Sequence, residues 1–178
     1  MNKYDELKEL IKKDGVKFGT FVLSSGKTSD FYVDLRKVTL NPQGALLIGS
    51  LVFDMIKDRK VDAIGGMTFG ADPIALATSI VALKAGKKLS AFIVRKEQKT
   101  HGTGNWIEGP VTKGQKAVVV EDVITTGASA LKAIDRIKEQ GLEIDMVVAV
   151  LDRMDGGRQA IEALGYKVLS IFTKDDFI

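Results

Sequence analysis

Apolar residues recur with two different spacings, and the order in which the spacings alternate predicts the architecture. Tyr4, Leu7, Leu10 and Ile11 fall at helical intervals, and Asp14-Gly15 closes that segment as a C-cap. Val16 to Leu23 and Phe31 to Arg36 are rich in aromatic and β-branched residues and predict two strands around a polar turn, Ser24 to Asp30. Asn41-Pro42 opens a second helix, with Asn41 as N-cap and apolar positions 45, 46, 48, 51, 52, 55 and 56 as its buried face. From there, short apolar runs alternate with helical segments. The runs are Val61 to Gly66, Leu89 to Val94, Ala117 to Val120, Ile144 to Leu151 and Tyr166 to Ile171. The helical segments are Ile74 to Lys84, Ala130 to Gln140 and Gly157 to Leu164. Continuous apolar runs of this kind suit parallel strands buried on both faces. Right-handed crossovers then give an α/β fold, a central parallel sheet flanked by helices. No linker or repeat interrupts residues 1–178, so one domain is expected.

Composition narrows the function classes. A chain of 178 residues, 45% hydrophobic and 28% charged, suits one globular domain with a proper core. A net charge of +3 argues against a nucleic-acid binder. The absence of cysteine excludes disulfides, thiolate metal sites and cysteine nucleophiles, and fits a reducing cytoplasm. The single histidine, His101, argues against a histidine metal site or a catalytic triad. Met1 to Asp14 is charged from its start, unlike a signal peptide, and no stretch reaches the roughly 20 apolar residues of a membrane span.

The stretch with most chemistry is Ala117 to Ser129, AVVVEDVITTGAS. It reads as a buried strand, two acids, a turn of small and hydroxyl residues, and a helix start. Helix N-termini carry unpaired N–H groups and partial positive charge, which suits a phosphate. Glu121 and Asp122 would repel a phosphate but accept hydrogen bonds from ribose hydroxyls. The alternative is an ordinary turn whose threonines cap the helix. Neither the Walker loop nor the G-x-G-x-x-G spacing is present. A second strand-turn-helix unit contains Met67-Thr68-Phe69-Gly70-Ala71-Asp72-Pro73, a candidate second phosphate cradle or a plain reversal. Arg95 to Asn105 holds Arg95, Lys96, Lys99, His101 and two glycines without apolar periodicity. It predicts a mobile cationic loop at a strand's carboxyl end, where open parallel sheets bind ligands. A solvated charge run is the alternative there. Lys27 sits among hydroxyl residues just before Phe31 and Tyr32, in either a solvated hairpin tip or a holder for a flat anion. Arg153 follows the Ile144 to Leu151 run, placed to bind a carboxylate bidentately or to pair with a surface acid.

The Glu121 to Ser129 stretch resembles the signature of the type I phosphoribosyltransferases, which bind the ribose 5-phosphate of phosphoribosyl pyrophosphate (PRPP) there. Three further segments resemble the orotate phosphoribosyltransferases: Leu23 to Tyr32, Arg95 to Gly102, and Leu151-Asp152-Arg153. The resemblance spans almost the whole chain. It implies a type I phosphoribosyltransferase-like sheet, with a small N-terminal hood from residues 1–40 and the C-terminal segment, and a flexible catalytic loop. It implies transfer of the 5-phosphoribosyl group from PRPP to orotate, giving orotidine 5′-monophosphate and pyrophosphate, in pyrimidine biosynthesis. It places Lys27, Thr68, Phe69, Arg95, Lys96, Lys99, His101 and Glu121, Asp122, Val123, Ile124, Thr125, Thr126, Gly127, Ala128 and Ser129 on PRPP. It places Lys27, Phe31, Tyr32, Thr125 and Arg153 on orotate, with Lys99 and His101 assisting departure of pyrophosphate. Many bacterial members carry a lysine in the pyrophosphate turn, where this chain has Met67-Thr68-Phe69-Gly70. The resemblance also implies Mg²⁺ carried by PRPP and water rather than by a protein cage, and a cytoplasmic homodimer that shares the loop across its interface. The competing readings are a purine phosphoribosyltransferase and a PRPP-sensing regulator without catalysis. The hydroxyl-rich Lys27 turn and Arg153 favour an anionic base, and the Lys99–His101 loop favours an enzyme.

Overall fold

The computed structural model describes residues 2–22, 28–98 and 105–178. In chain order the elements are α1 (Lys3–Asp14), β1 (Val16–Val22), β2 (Thr28–Val33), α2 (Arg36–Thr39), α3 (Pro42–Ile56), β3 (Ala63–Met67) and α4 (Asp72–Lys84). Then follow β4 (Ser90–Val94), β5 (Ile107–Glu108), β6 (Lys116–Ile124), α5 (Ala128–Glu139), β7 (Glu143–Asp152), α6 (Gly157–Glu162) and β8 (Val168–Thr173). A short 3₁₀ turn, Lys174–Asp176, ends the chain. The main sheet has strand order β5-β4-β3-β6-β7-β8, all parallel except the edge strand β5, and β1 and β2 form a separate antiparallel ribbon.

The pleat explains the layering. Val118 and Val120 of β6, with Met146, Val148 and Val150 of β7, face α1, α3 and α4. The alternate residues Ala117, Val119, Val147 and Ala149 face α5 and α6. Each fully buried Val or Ile contributes about 1.5–3 kcal/mol. An exposed ion pair such as Lys3–Asp54, at 3.2 Å, contributes about 0–1 kcal/mol. The doubly covered sheet therefore holds the frame, and the ion pairs decorate it.

Local chemistry sets the element ends. Asn41 Oδ1 accepts from the backbone N–H groups of Gln43 and Gly44, at 2.9 and 3.2 Å, and starts α3 as expected. The second strand ends earlier than its aromatic content predicts. Asp34 Oδ1 accepts from the Arg36 N–H at 3.1 Å, a side-chain turn that diverts the chain into α2. Gly15 caps α1 in a right-handed conformation (φ −102°), so its N–H reaches the Ile11 carbonyl without a left-handed residue. β5 falls outside the apolar runs visible in the sequence, because two paired residues carry no readable period.

Both chain ends close over the β1–β2 ribbon's side of the sheet. Tyr4 donates to Asp176 Oδ1 at 2.9 Å and its ring lies 4.5 Å from that of Phe172. Phe177 is buried, and Phe31 of β2 is wholly enclosed, with the Lys174 ammonium 5.9 Å from its ring centre.

Candidate active site

The carboxyl ends of β3, β4, β6 and β7 bring four connections to one edge of the sheet. They enclose a cavity of about 360 Å³, with Thr68, Phe69, Gly70, Lys96, Glu121, Asp122, Thr125, Ser129 and Arg153 among its walls. A smaller pocket of about 130 Å³ adjoins it, lined by Glu121 and by residues 123–130, and shares Glu121, Val123, Thr125 and Ser129 with the first.

The smaller pocket is the turn between β6 and α5. Gly127 stands at the helix N-cap with φ 80°, a conformation that side chains disfavour. It makes no side-chain cap bond, and neither threonine caps the helix, so the N–H groups of the first turn stay available to an anion. A Cβ on Gly127 would lie 2.9 Å from the Gly157 carbonyl, and the Gly157 N–H donates to the Thr125 carbonyl at 3.0 Å. The start of α6 thus braces the cradle. Ile124 is buried, and its carbonyl accepts the Arg153 N–H at 2.9 Å.

The two acids differ in setting. Glu121 is 5% exposed, and among the described residues its Oε2 has no hydrogen-bond partner. Burial first, then the neighbouring Asp122, push its carboxyl from 4.5 up to about 8, with Ser129 partly offsetting them. Asp122 lines the cavity, and its Oδ1 accepts from the Val123 N–H at 2.9 Å. Gly70 allows the 68–70 turn to press against that carboxylate, because a Cβ there would meet Asp122 Oδ1 at 2.6 Å. Native Glu121 holds its proton more tightly than the unfolded chain does. Its contribution to stability is therefore present below pH 4.5 and lost as pH rises through about 8. Glu121→Gln should flatten the pH dependence of denaturant melts across that window. An unchanged slope would mean that Glu121 is ionised throughout.

Most other predicted residues converge. Thr68 and Phe69 line the cavity, and Thr68 Oγ1 donates to Asp72 Oδ2 at 2.6 Å. Asp72 Oδ1 is buried without a partner among the described residues, and burial raises that carboxyl's pKa. Lys96 lines the cavity, whereas Arg95 stands outside its lining and pairs with Glu108 at 3.3 Å. Arg153 is 8% exposed, and its Nε donates to Asp155 at 3.2 Å. Phe31 does not line the cavity: it is wholly buried, 6.0 Å from the Arg153 guanidinium, so the pleat has turned it into the core under Arg153. Tyr32 points the other way, 37% exposed and 5.4 Å from the Phe21 ring. Lys27, Lys99 and His101 lie outside the described residues. Sequence reasoning missed Asp34 and Arg36, which line the cavity and form a 2.8 Å ion pair. Hydrogen bonding from Arg36 holds the Asp34 carboxyl below its ordinary range. Their closeness to the Phe31-Tyr32 segment was the available signal.

Residues 36–177 match the phosphoribosyl transferase domain model. An orotate phosphoribosyltransferase of Aquifex aeolicus is 44% identical over 181 residues, covering 100% of this chain and 99% of that protein. The crystal structure of the Mycobacterium tuberculosis orotate phosphoribosyltransferase with Fe(III) dicitrate superposes with a TM-score of 0.89 at 40% identity, over 99% of each chain. The same enzyme in complex with PRPP gives a TM-score of 0.84 at 37% identity, again over 99% of each chain. The architecture is the type I phosphoribosyltransferase fold, and the chain belongs to the orotate phosphoribosyltransferase family.

Proposed function

We propose that this protein transfers the 5-phosphoribosyl group of PRPP to orotate, releasing pyrophosphate and orotidine 5′-monophosphate, in pyrimidine biosynthesis. The observation that carries the reading is the convergence on one cavity of a helix-start turn, two acidic side chains, a glycine-containing turn, a lysine and an arginine. The donor N–H groups at the α5 start hold the 5-phosphate, and Glu121 and Asp122 accept from the ribose hydroxyls. Turn 68–70 and Lys96 receive the pyrophosphate, with Arg95, Lys99 and His101 supplying further cationic or proton-donating groups from their segment. Arg153 binds the orotate carboxylate through its planar fork, and Thr125, on the wall of both pockets, reaches both substrates. Displacement at the anomeric carbon passes through an oxocarbenium-like state, so charge building on the departing pyrophosphate is what these cations stabilise. Among the described residues no three carboxylate or histidine side chains converge as a cage. A Mg²⁺ ion held by PRPP oxygens and water suits that donor set, and when bound it supplies further neutralisation of the pyrophosphate.

Orotate-dependent release of pyrophosphate from PRPP, with and without Mg²⁺, tests the reading. Adenine, hypoxanthine and xanthine serve as competing acceptors. Consumption of a purine alone would sink it.

We read the whole chain as one domain, its hood built from residues 1–40 and the C-terminal segment, and its site of action as the cytoplasm. We also place it in a homodimer. Leu76, Ile80 and Leu83 form an exposed stripe on α4, 56%, 47% and 71% accessible. An apolar groove of about 520 Å³, lined by Leu40, Phe69, Pro73, Leu76, Phe92 and Ile93 among others, runs beside it. Phe69 belongs to both this groove and the active cavity, so a partner seated here lies beside the chemistry, within range of loop sharing. Leu76→Lys combined with Ile80→Lys should convert a dimer to a folded monomer in sedimentation and lower activity about tenfold or more. A dimer that survives both changes would exclude this face.

A further inference from the structure

Among the described residues, Arg136 is a buried cation with no acidic partner. It lies in the last turn of α5, is 6% exposed, and among the described residues makes no ion pair. A buried guanidinium must spend its donors on oriented dipoles or be strongly destabilising. Its Nη1 donates to the Arg95 carbonyl and its Nη2 to the Lys96 carbonyl at 2.9 Å. The guanidinium carbon lies 4.0 Å from the centre of the Trp106 ring, and Nη1 lies 3.4 Å from Met67 Sδ.

The identity of those four partners gives the contact its meaning. Met67 ends β3 and leads directly into turn 68–70. Arg95 and Lys96 follow β4, and Trp106 precedes β5. The Arg95 N–H donates to the Trp106 carbonyl at 2.9 Å, closing the base of the segment between them. One side chain therefore touches the root of the turn and both ends of the cationic segment. It does so from the helix whose other end forms the phosphate cradle.

We propose that Arg136 is the positioning residue for the pyrophosphate half of the site. By holding the Arg95 and Lys96 carbonyls and the Trp106 ring in one arrangement, it aims the Lys96 ammonium into the cavity beside Thr68 and Gly70. This rests on the phosphoribosyl-transfer reading for the identity of the ligand. Two carbonyls and a ring face require a planar fork, so lysine does not substitute for it.

Trp106 is the only tryptophan, so its emission reports on the clasp without any turnover. Magnesium pyrophosphate should change that emission in the wild type. Arg136→Met and Arg136→Lys should each need about tenfold more pyrophosphate, or lose the response. Their affinity for ribose 5-phosphate and their KM for orotate should change by less than about twofold, since the cradle and Arg153 are untouched. A merely structural plug would weaken both halves together. Equal weakening of pyrophosphate and ribose 5-phosphate, or unchanged pyrophosphate affinity in a folded variant, overturns the proposal. If Arg136→Met does not fold, Arg136→Lys carries the same comparison alone. If the wild type shows no orotate-dependent turnover while the titrations still separate it from the variants, the transfer reading falls and the positioning role stands.

Discussion

Arg153→Ala should lower kcat/KM for orotate by about 10²–10³-fold, with a change of only a few degrees in Tm. The asymmetry follows from what the side chain does in the free protein. One of its partners, Asp155, is 43% exposed at its side chain, and such pairs contribute about 0–1 kcal/mol. In the cavity, by contrast, a bidentate pair with a carboxylate is charge-assisted and shielded from water, and is worth about 3–4 kcal/mol. The backbone that presents Arg153 does not depend on its own side chain. Asp152, 2% exposed, accepts from Arg158 Nε at 2.8 Å, and Arg158 also donates to the Val168 carbonyl at 2.8 Å and Ser170 Oγ at 2.9 Å. Uracil, which is orotate without its carboxylate, provides the internal control. Wild type and variant should use it equally poorly. A variant that loses orotate and uracil turnover in the same proportion would remove Arg153 from carboxylate recognition.

Lys99→Ala should depress kcat by about 10²–10³-fold and leave folding intact, because it removes one donor from the charge that develops on the leaving group. The base of its segment is anchored independently, through the Arg95–Trp106 hydrogen bond and the Arg136 contacts. Near-normal turnover by a folded variant would exclude the loop from the mechanism. Mixing Lys99→Ala with Arg153→Ala protein separates the two arrangements of the proposed dimer. If Lys99 serves the partner's site, each hybrid contains one site with both lesions and one with neither, and about a quarter of wild-type activity should return. If Lys99 serves its own site, each hybrid site carries a single lesion and no recovery is expected.

Much of the cavity's frame was legible in the sequence. Ala117 to Ser129 reads as strand, acids, turn and helix because each part is a short-range pattern, and the structure keeps that order, with β6 running on through both acids to Ile124 and α5 starting at Ala128. The cationic character of residues 95–99 was equally plain. Their directions were not. Arg95 and Lys96 are neighbours in the chain, yet only Lys96 lines the cavity, because the chain bends at Lys96 just beyond the end of β4. Within β2, side-chain alternation buries Phe31 and exposes Tyr32, although both are aromatic and adjacent.

Strand, helix and turn arise from local spacing and local chemistry, so the chain's own order of residues sufficed for the α/β alternation, the turn before α5 and the family resemblance. Long-range contact decided the rest. Arg136 reaches carbonyls 40 and 41 residues away, which no spacing rule anticipates. Asp34 and Arg36 enter the wall only because the ribbon folds over the sheet edge. The apolar stripe of α4 became visible as an exposed surface only once α3 and the sheet had covered the helix's other side. Which side chains share a cavity is a property of packing, and packing joins residues that the chain keeps far apart.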